Sequence, residues 1–231
     1  MIPLRDENRR QTVPIVTYAI IVINSVVYLY QLGLGPEVRS FVMLWGLVPL
    51  RLTSALEYGT EPMLVPGLTV ISSMFMHGSW LHLLGNMWYL WIFGDNIEDR
   101  MGRLRFVVFY LLAGAAAAAL HYVLNRESRV PSVGASGAIA GVLGAYAFAF
   151  PSAKVITLVP LFPFFQIMAI PAVVMLGLWF VYQFLAGFLT SAWSSTGHGV
   201  AWWAHIGGFA FGGLTFWLFA AGRPRSRATV V

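Results

Sequence analysis

Residues 134–150, GASGAIAGVLGAYAFAF, decide the fold. The run is apolar enough to lie in a membrane, carries no charge, and sets Ser136 at its head. A second such run opens 69 positions later (205 − 136) with Ala204-His205-Ile206-Gly207-Gly208. Polar and ionisable groups are costly at membrane depth and read by default as a functional site. A hydroxyl and an imidazole in two such runs point first to a serine nucleophile with a histidine base.

The bulk composition supports the membrane reading. The chain has 231 residues, 58% hydrophobic and 10% charged, with mean hydropathy +0.74. Soluble domains run about 45–50% apolar and about 25% charged. A formal charge of +5 could suggest nucleic acid, but the basic residues are scattered singly over short loops, with no arginine-aromatic stripe for bases. The basicity belongs to membrane topology, and no nucleic-acid partner is expected. The absence of cysteine excludes disulfides, thiolate metal sites and cysteine catalysis. The charged start, Met1 to Gln11, lacks the layout of a cleavable leader, so the first apolar segment is expected to be retained.

Working outward, the apolar runs predict an all-α membrane protein of six transmembrane helices, at residues 14–32, 80–98, 105–124, 136–150, 167–189 and 200–221. Residues 1–231 then form one membrane domain, with tails at 1–12 and 222–231. The stretch 33–79 holds Pro36, Pro49, Pro62 and Pro66 among Leu44, Trp45 and Leu47. It is too apolar for a linker and reads as an ordered insertion at headgroup level, with short helices. The fourth span is short for a full crossing. With both termini inside, ten basic residues are cytoplasmic: Arg5, Arg9, Arg10, Arg100, Arg103, Arg105, Lys154, Arg223, Arg225 and Arg227. Four lie outside: Arg39, Arg51, Arg126 and Arg129. That asymmetry obeys the positive-inside rule. The layout fits a bacterial inner membrane. It also gathers Ser136, His205 and His82 near one membrane face.

His82 and Asn86 are four apart and share a helix face. The pair can supply donors to an oxyanion, with the Ser136 backbone N–H as a third, or can simply bridge helices. Ser136, Ala140 and Gly144 form one small-residue stripe, and Gly137 and Gly141 a second. Gly208 and Gly212 continue the face of His205. Such stripes let helices close, here until hydroxyl and imidazole meet, the contact that activates a serine. Neither span holds Asp or Glu, so a Ser136–His205 dyad is expected rather than a triad. Position 138 is Ala, which breaks the Gly-x-Ser-x-Gly elbow of the α/β-hydrolases. Gly94-x-x-x-Glu98-x-x-x-Gly102 shares one helix face, and Glu98 is read as tying a helix end to neighbouring backbone in preference to a proton-relay carboxylate. His77, His121 and His198 lie toward the same membrane face, but no His-Glu-x-x-His appears and no metal is expected. No half-to-half similarity suggests a transporter.

Taken in order, His82-x-x-x-Asn86, Gly94-x-x-x-Glu98-x-x-x-Gly102, Gly134-Ala135-Ser136-Gly137 and Ala204-His205-x-x-Gly208-x-x-x-Gly212 resemble the rhomboid family of intramembrane serine proteases. The resemblance spans about Thr12 to Ala221. It implies Ser136 as nucleophile, His205 as general base, His82 and Asn86 at the oxyanion, and Gly134 shaping the loop ahead of the nucleophile. It also implies a membrane-embedded first loop, transmembrane proteins as substrates within the lipid bilayer, and no cofactor. The rival is an inactive rhomboid-like protein that escorts transmembrane clients, though such proteins typically lack the serine or the histidine. Two positions depart from the family pattern. Ala140 stands where some relatives carry a tyrosine stacked on the histidine, so another aromatic, such as Trp203 or Tyr146, is expected to orient His205. Leu50 precedes Arg51 where many relatives have an aromatic. Residues 191–199, rich in Ser, Thr and Gly, have the composition of a lid. The resemblance further implies that Trp179, Phe180, Tyr182 and Phe184 form the wall through which substrate enters.

Overall fold

A computed structural model describes residues 1–8, 10–161, 163–193 and 202–220. The first strand, β1 (Ile2–Asp6), precedes α1 (Ile15–Gly33). The insertion that follows holds α2 (Val38–Trp45), α3 (Pro49–Tyr58) and α4 (Leu64–Ser72), with single 3-10 turns at Gly35–Glu37 and Ser73–Phe75. Then come α5 (Trp80–Met101), α6 (Arg103–Leu124), α7 (Ser136–Ala149), the hairpin β2 (Lys154–Leu161) and β3 (Phe164–Pro171), α8 (Ala172–Trp193) and α9 (Trp202–Ala220).

The fold is that of an all-α membrane protein with several apolar helices. Three of them, α1, α6 and α8 through Leu189, are long and apolar enough to cross a membrane. The other three expected spans do not meet that standard, for separate physical reasons. Helix α5 carries His82, Asn86, Asp95 and Asn96 among its apolar residues, and gathers Glu98, Asp99 and Arg100 into its last turn. Helix α7 has only 14 residues. In α9, glycines, tryptophans and His205 dilute the apolar character. Packing accounts for the shortness of α7, because every residue from Gly137 to Ala147 is buried. A helix covered on all sides is apolar all round and need not match the bilayer thickness itself.

The small residues decide how closely α7 is covered. A Cβ built on Gly208 would strike the Gly137 carbonyl oxygen, and one on Gly212 the Gly141 carbonyl oxygen. Helix α6 is equally close: a Cβ on Gly141 would come within 2.5 Å of Ala113 Cβ on α6, and one on Gly137 within 2.6 Å of Ala117 Cβ. Helices α7 and α9 therefore meet backbone to backbone, as small-residue stripes allow in lipid.

Glu98 closes the far end of the bundle. Its carboxylate accepts the Val16 and Thr17 backbone N–H groups at 3.0 and 2.7 Å and the Thr17 hydroxyl at 2.8 Å. It caps α1, whose own Pro14 supplies no side-chain cap. Gly94 lets α5 approach at that point, since a Cβ there would lie 3.1 Å from Thr17 Cγ2.

Two expected boundaries change. Residues 167–171, read as the start of the fifth span, are the end of β3, and the helix begins at Ala172. Residues 2–6, inside the expected tail, form β1, which pairs antiparallel with β2, itself paired with β3. An apolar run such as Ile167-Met168-Ala169-Ile170 does not separate strand from helix by periodicity. The hairpin base sets the start of α8: the Ala172 and Val173 N–H groups donate to the Ala153 and Pro151 carbonyls at 2.7 and 3.2 Å.

Candidate active site

Ser136 is the first residue of α7, and no side chain caps that helix start. The segment ahead of it is pinned twice. Leu47 and Ser132 exchange backbone hydrogen bonds at 3.1 and 2.8 Å, and the Gly134 N–H donates to the Ser73 carbonyl at 2.9 Å. Gly134 takes φ +134°, a conformation that side-chain-bearing residues rarely adopt. A Cβ at this position would also lie 2.7 Å from both Cε1 and Nε2 of His82. The close approach of loop and ring thus requires glycine for two independent reasons.

Across the glycine seam, Ser136 Oγ lies 2.8 Å from His205 Nε2. His205 Nδ1 lies 2.7 Å from Gln183 Oε1 on α8. Two indoles flank the imidazole: Trp179 at 5.8 Å between ring centroids and tilted 39°, and Trp202 edge-on at 6.4 Å. Neither expected aromatic holds this ring. Tyr146 sits at the opposite end of α7, where its hydroxyl donates to Asp6 at 2.6 Å. Trp203 packs its ring against Phe184 at 6.2 Å.

On the other side of the serine, α5 starts at a capped turn, where Ser79 Oγ accepts the His82 N–H at 3.2 Å. This cap fixes the helix start and so the phase at which His82 and Asn86 emerge. Asn86 Nδ2 contacts His77 Nε2 at 2.9 Å. His77 is in turn held by Gln31 of α1, which accepts its N–H at 3.0 Å and donates to its carbonyl at 3.2 Å. The ring of His77 packs edge-on to His82 at 5.1 Å. His77 lies in the expected loop ahead of α5, but it is buried there and reaches the site through Asn86.

Ser136, His205, His82, Asn86, Gly134, Gln183 and Trp179 all line one cavity of about 650 Å³. His121 lines it too, from α6. Such a volume falls in the range of small-molecule and peptide clefts, about 300–1,000 Å³. A hydroxyl bonded to an imidazole nitrogen at the wall of a cleft is the arrangement in which the imidazole can take the hydroxyl proton. Gly208 and Gly212 bring that pair together from below. Glu98 takes no part in it: it lies sixteen residues beyond His82 on α5 (98 − 82), about 24 Å by helix rise.

The remaining expected elements divide. The first-loop arginine is anchored without an aromatic partner before it. Arg51 forks onto Glu61 at 2.6 and 2.7 Å and donates to the Leu44 carbonyl at 2.9 Å. That pairing holds the Glu61 carboxyl below its usual range. Of the expected wall, Tyr182 and Phe184 face outward, whereas Trp179 turns to the cavity and Phe180 packs on Phe209 at 4.8 Å. Of the expected lid, residues 191–193 end α8, and 194–199, including His198, lie outside the described residues. Gln183, Gln31 and the buried role of His77 were not anticipated. Gln183 had a readable signal, being a lone amide in an apolar helix.

Comparison with known proteins covers the same ground. A family model described as the Rhomboid domain matches residues 67–222, which include all four motif stretches. The chain is 33% identical over 170 residues to "Rhomboid protein 1, mitochondrial" of Saccharomyces cerevisiae, covering 69% of this chain and 44% of that protein. It is 36% identical over 148 residues to "Presenilin-associated rhomboid-like protein A, mitochondrial" of Danio rerio, covering 63% and 36%. It is 32% identical over 146 residues to "Presenilin-associated rhomboid-like protein, mitochondrial" of Bos taurus, covering 62% and 36%. The matched stretch spans less than half of each relative's length. With the family model matching from within α4 to the end of α9, the chain belongs to the rhomboid family of membrane proteins.

Proposed function

We propose that this multi-pass membrane protein is a serine endopeptidase that cuts peptide bonds in or beside the transmembrane segments of other membrane proteins. The observation that carries the reading is the 2.8 Å contact of Ser136 Oγ with His205 Nε2 at the wall of the cavity. Ser136 Oγ attacks the scissile carbonyl carbon while His205 Nε2 takes its proton. The same nitrogen then returns that proton to the leaving amine as the C–N bond breaks. Water, deprotonated by His205, releases the acyl group and restores the serine. His82, Asn86 and the Ser136 backbone N–H serve the developing oxyanion, where preorganised donors contribute about 3–4 kcal/mol each. No cofactor enters these steps. A helical substrate hides its carbonyls in i to i−4 bonds, so cleavage favours segments with Gly, Pro or small polar residues that unwind.

Residues 1–231 are read as one membrane domain in which α5, α7 and α9 complete six crossings with α1, α6 and α8. What supports this is the burial of α7 and the internal pairing of the α5 carboxylate Glu98, which removes the cost of polar groups facing lipid. Both termini are read as cytoplasmic, and the distribution of basic residues supports that reading. A bacterial inner membrane was expected from the sequence, whereas the relatives named above are mitochondrial proteins.

The test is cleavage of a reporter transmembrane helix by reconstituted protein. Ser136→Ala and His205→Ala should each lower turnover by about 10⁴-fold or more, with insertion and melting retained. Turnover within tenfold of the unaltered protein by either variant would sink the dyad.

A further inference from the structure

We infer that Gln183 is the positioning residue of this site: it holds the proton of His205 on Nδ1 and so leaves Nε2 free to accept from Ser136. For its catalytic meaning the inference rests on the protease reading above. Its structural content stands on the geometry alone.

A neutral imidazole carries one proton on either nitrogen, and only the Nδ1–H form presents a lone pair to the serine. The partner of Nδ1 therefore decides whether His205 can act as a base. That partner is the Gln183 carbonyl oxygen at 2.7 Å, and an amide oxygen only accepts. The His205 proton is then held on Nδ1, and the 2.8 Å contact on the other side runs from the Ser136 hydroxyl to Nε2. Both side chains are buried, Gln183 at 5% exposure and His205 at 8%, so water competes little for either nitrogen.

No carboxylate does this work. Helices α7, α8 and α9 contain no Asp or Glu, and position 140 offers only a methyl group. Helix α8 fills both gaps from a single face. Trp179 and Gln183 are four apart, and both meet His205: the indole bounds one side of the imidazole and the amide bonds its edge. A neutral amide fixes the tautomer and the ring orientation without the added charge of a carboxylate. It also avoids placing an unpaired carboxylate among apolar helices, which would be far more costly than a paired amide.

The experiment uses the full chain with ¹⁵N-labelled histidine in detergent or nanodiscs, at mildly alkaline pH. The His205 signals are identified by their loss in His205→Ala. In the unaltered protein the ring-nitrogen shifts should report Nδ1 protonated and Nε2 bare. In Gln183→Met, close in volume and lacking the oxygen acceptor, the two tautomers should mix. In parallel, phosphonylation of Ser136 by a fluorophosphonate probe should slow about 10- to 100-fold in Gln183→Met. The loss should fall on the maximal rate rather than on the half-saturating probe concentration, with melting unchanged. Finding the proton on Nε2 in the unaltered protein overturns the inference. So does Gln183→Met that labels at the unaltered rate. If the unaltered protein shows the Nδ1–H form but never labels, the protease reading falls and the positioning role of Gln183 stands.

Discussion

The Ser136 end and the Glu98 end of the bundle both place polar groups among apolar helices, yet they do so in opposite ways. At the Glu98 end the carboxylates of Glu98 and Asp6 are both bonded. Glu98 takes three donors from α1, and Asp6 takes the Tyr146 hydroxyl and the Asn96 amide. At the Ser136 end the polar groups are strung in short chains, Gln183–His205–Ser136 and Gln31–His77–Asn86. Both chains stop at a cavity. Polarity inside the bundle therefore does not by itself mark chemistry. What sets the Ser136 cluster apart from the Glu98 cluster is that its polar groups face a cavity of about 650 Å³.

That contrast can be broken most sharply at Gly134. Gly134→Ala adds a methyl where φ is +134° and where His82 stands 2.7 Å away. The backbone term costs about 1–3 kcal/mol, and displacing His82 should lower turnover about 100-fold. Reporter cleavage measured beside thermal melting checks both. Full turnover in the variant would mean that His82 and the loop are not coupled.

Glu98→Gln tests the other end. An amide nitrogen facing N–H donors loses part of the cap on α1, and the protein should lose about 1–3 kcal/mol of stability. Phosphonylation of Ser136 per folded molecule should stay within about threefold, since the two sites are too far apart to share partners. A large loss of labelling with unchanged melting would show that the Glu98 end communicates with the site.

The smallest effect is expected at Asp6. Burial pushes its carboxyl up to about 7, with repulsion from Asp95 adding to the rise and the Tyr146 hydroxyl opposing it. Because the folded state holds this proton more tightly than the unfolded chain does, docking of β1 is strongest in acid. It weakens as pH rises from the ordinary carboxylate value of 3.8 toward about 7. Hydrogen exchange of the β1 amides across that window should show progressive loss of protection, and Asp6→Asn should flatten the trend. An unchanged slope in the variant would assign the pH dependence elsewhere.

The residues proposed for catalysis stand out in the sequence because their types are rare in apolar runs and their spacing maps directly onto helix faces. Ser136, His205, His82 and Asn86 were legible for that reason, and so was the glycine seam, since small residues at four-residue intervals have one physical use in a membrane. The Glu98 tie was legible too, as a carboxylate on a face shared with two glycines. Gln183 was legible in principle by the rule that singled out Ser136, but its partner was not, because nothing local says which helix face lies opposite. The hairpin escaped because short apolar runs do not separate strand from helix by periodicity, and the β-branched residues of 155–159 were not weighed as a strand signal.

By composition and pattern alone, then, the chain was determined to be an apolar helical membrane protein with a serine and a histidine brought together by glycine. Only the tertiary structure decided what holds that histidine, how α1 is capped, and which polar groups remain open to a cavity. Each of those answers depends on contacts between segments distant in sequence, such as Gln183 with His205 or Thr17 with Glu98. Such contacts follow from how whole helices pack, which no local stretch of residues encodes.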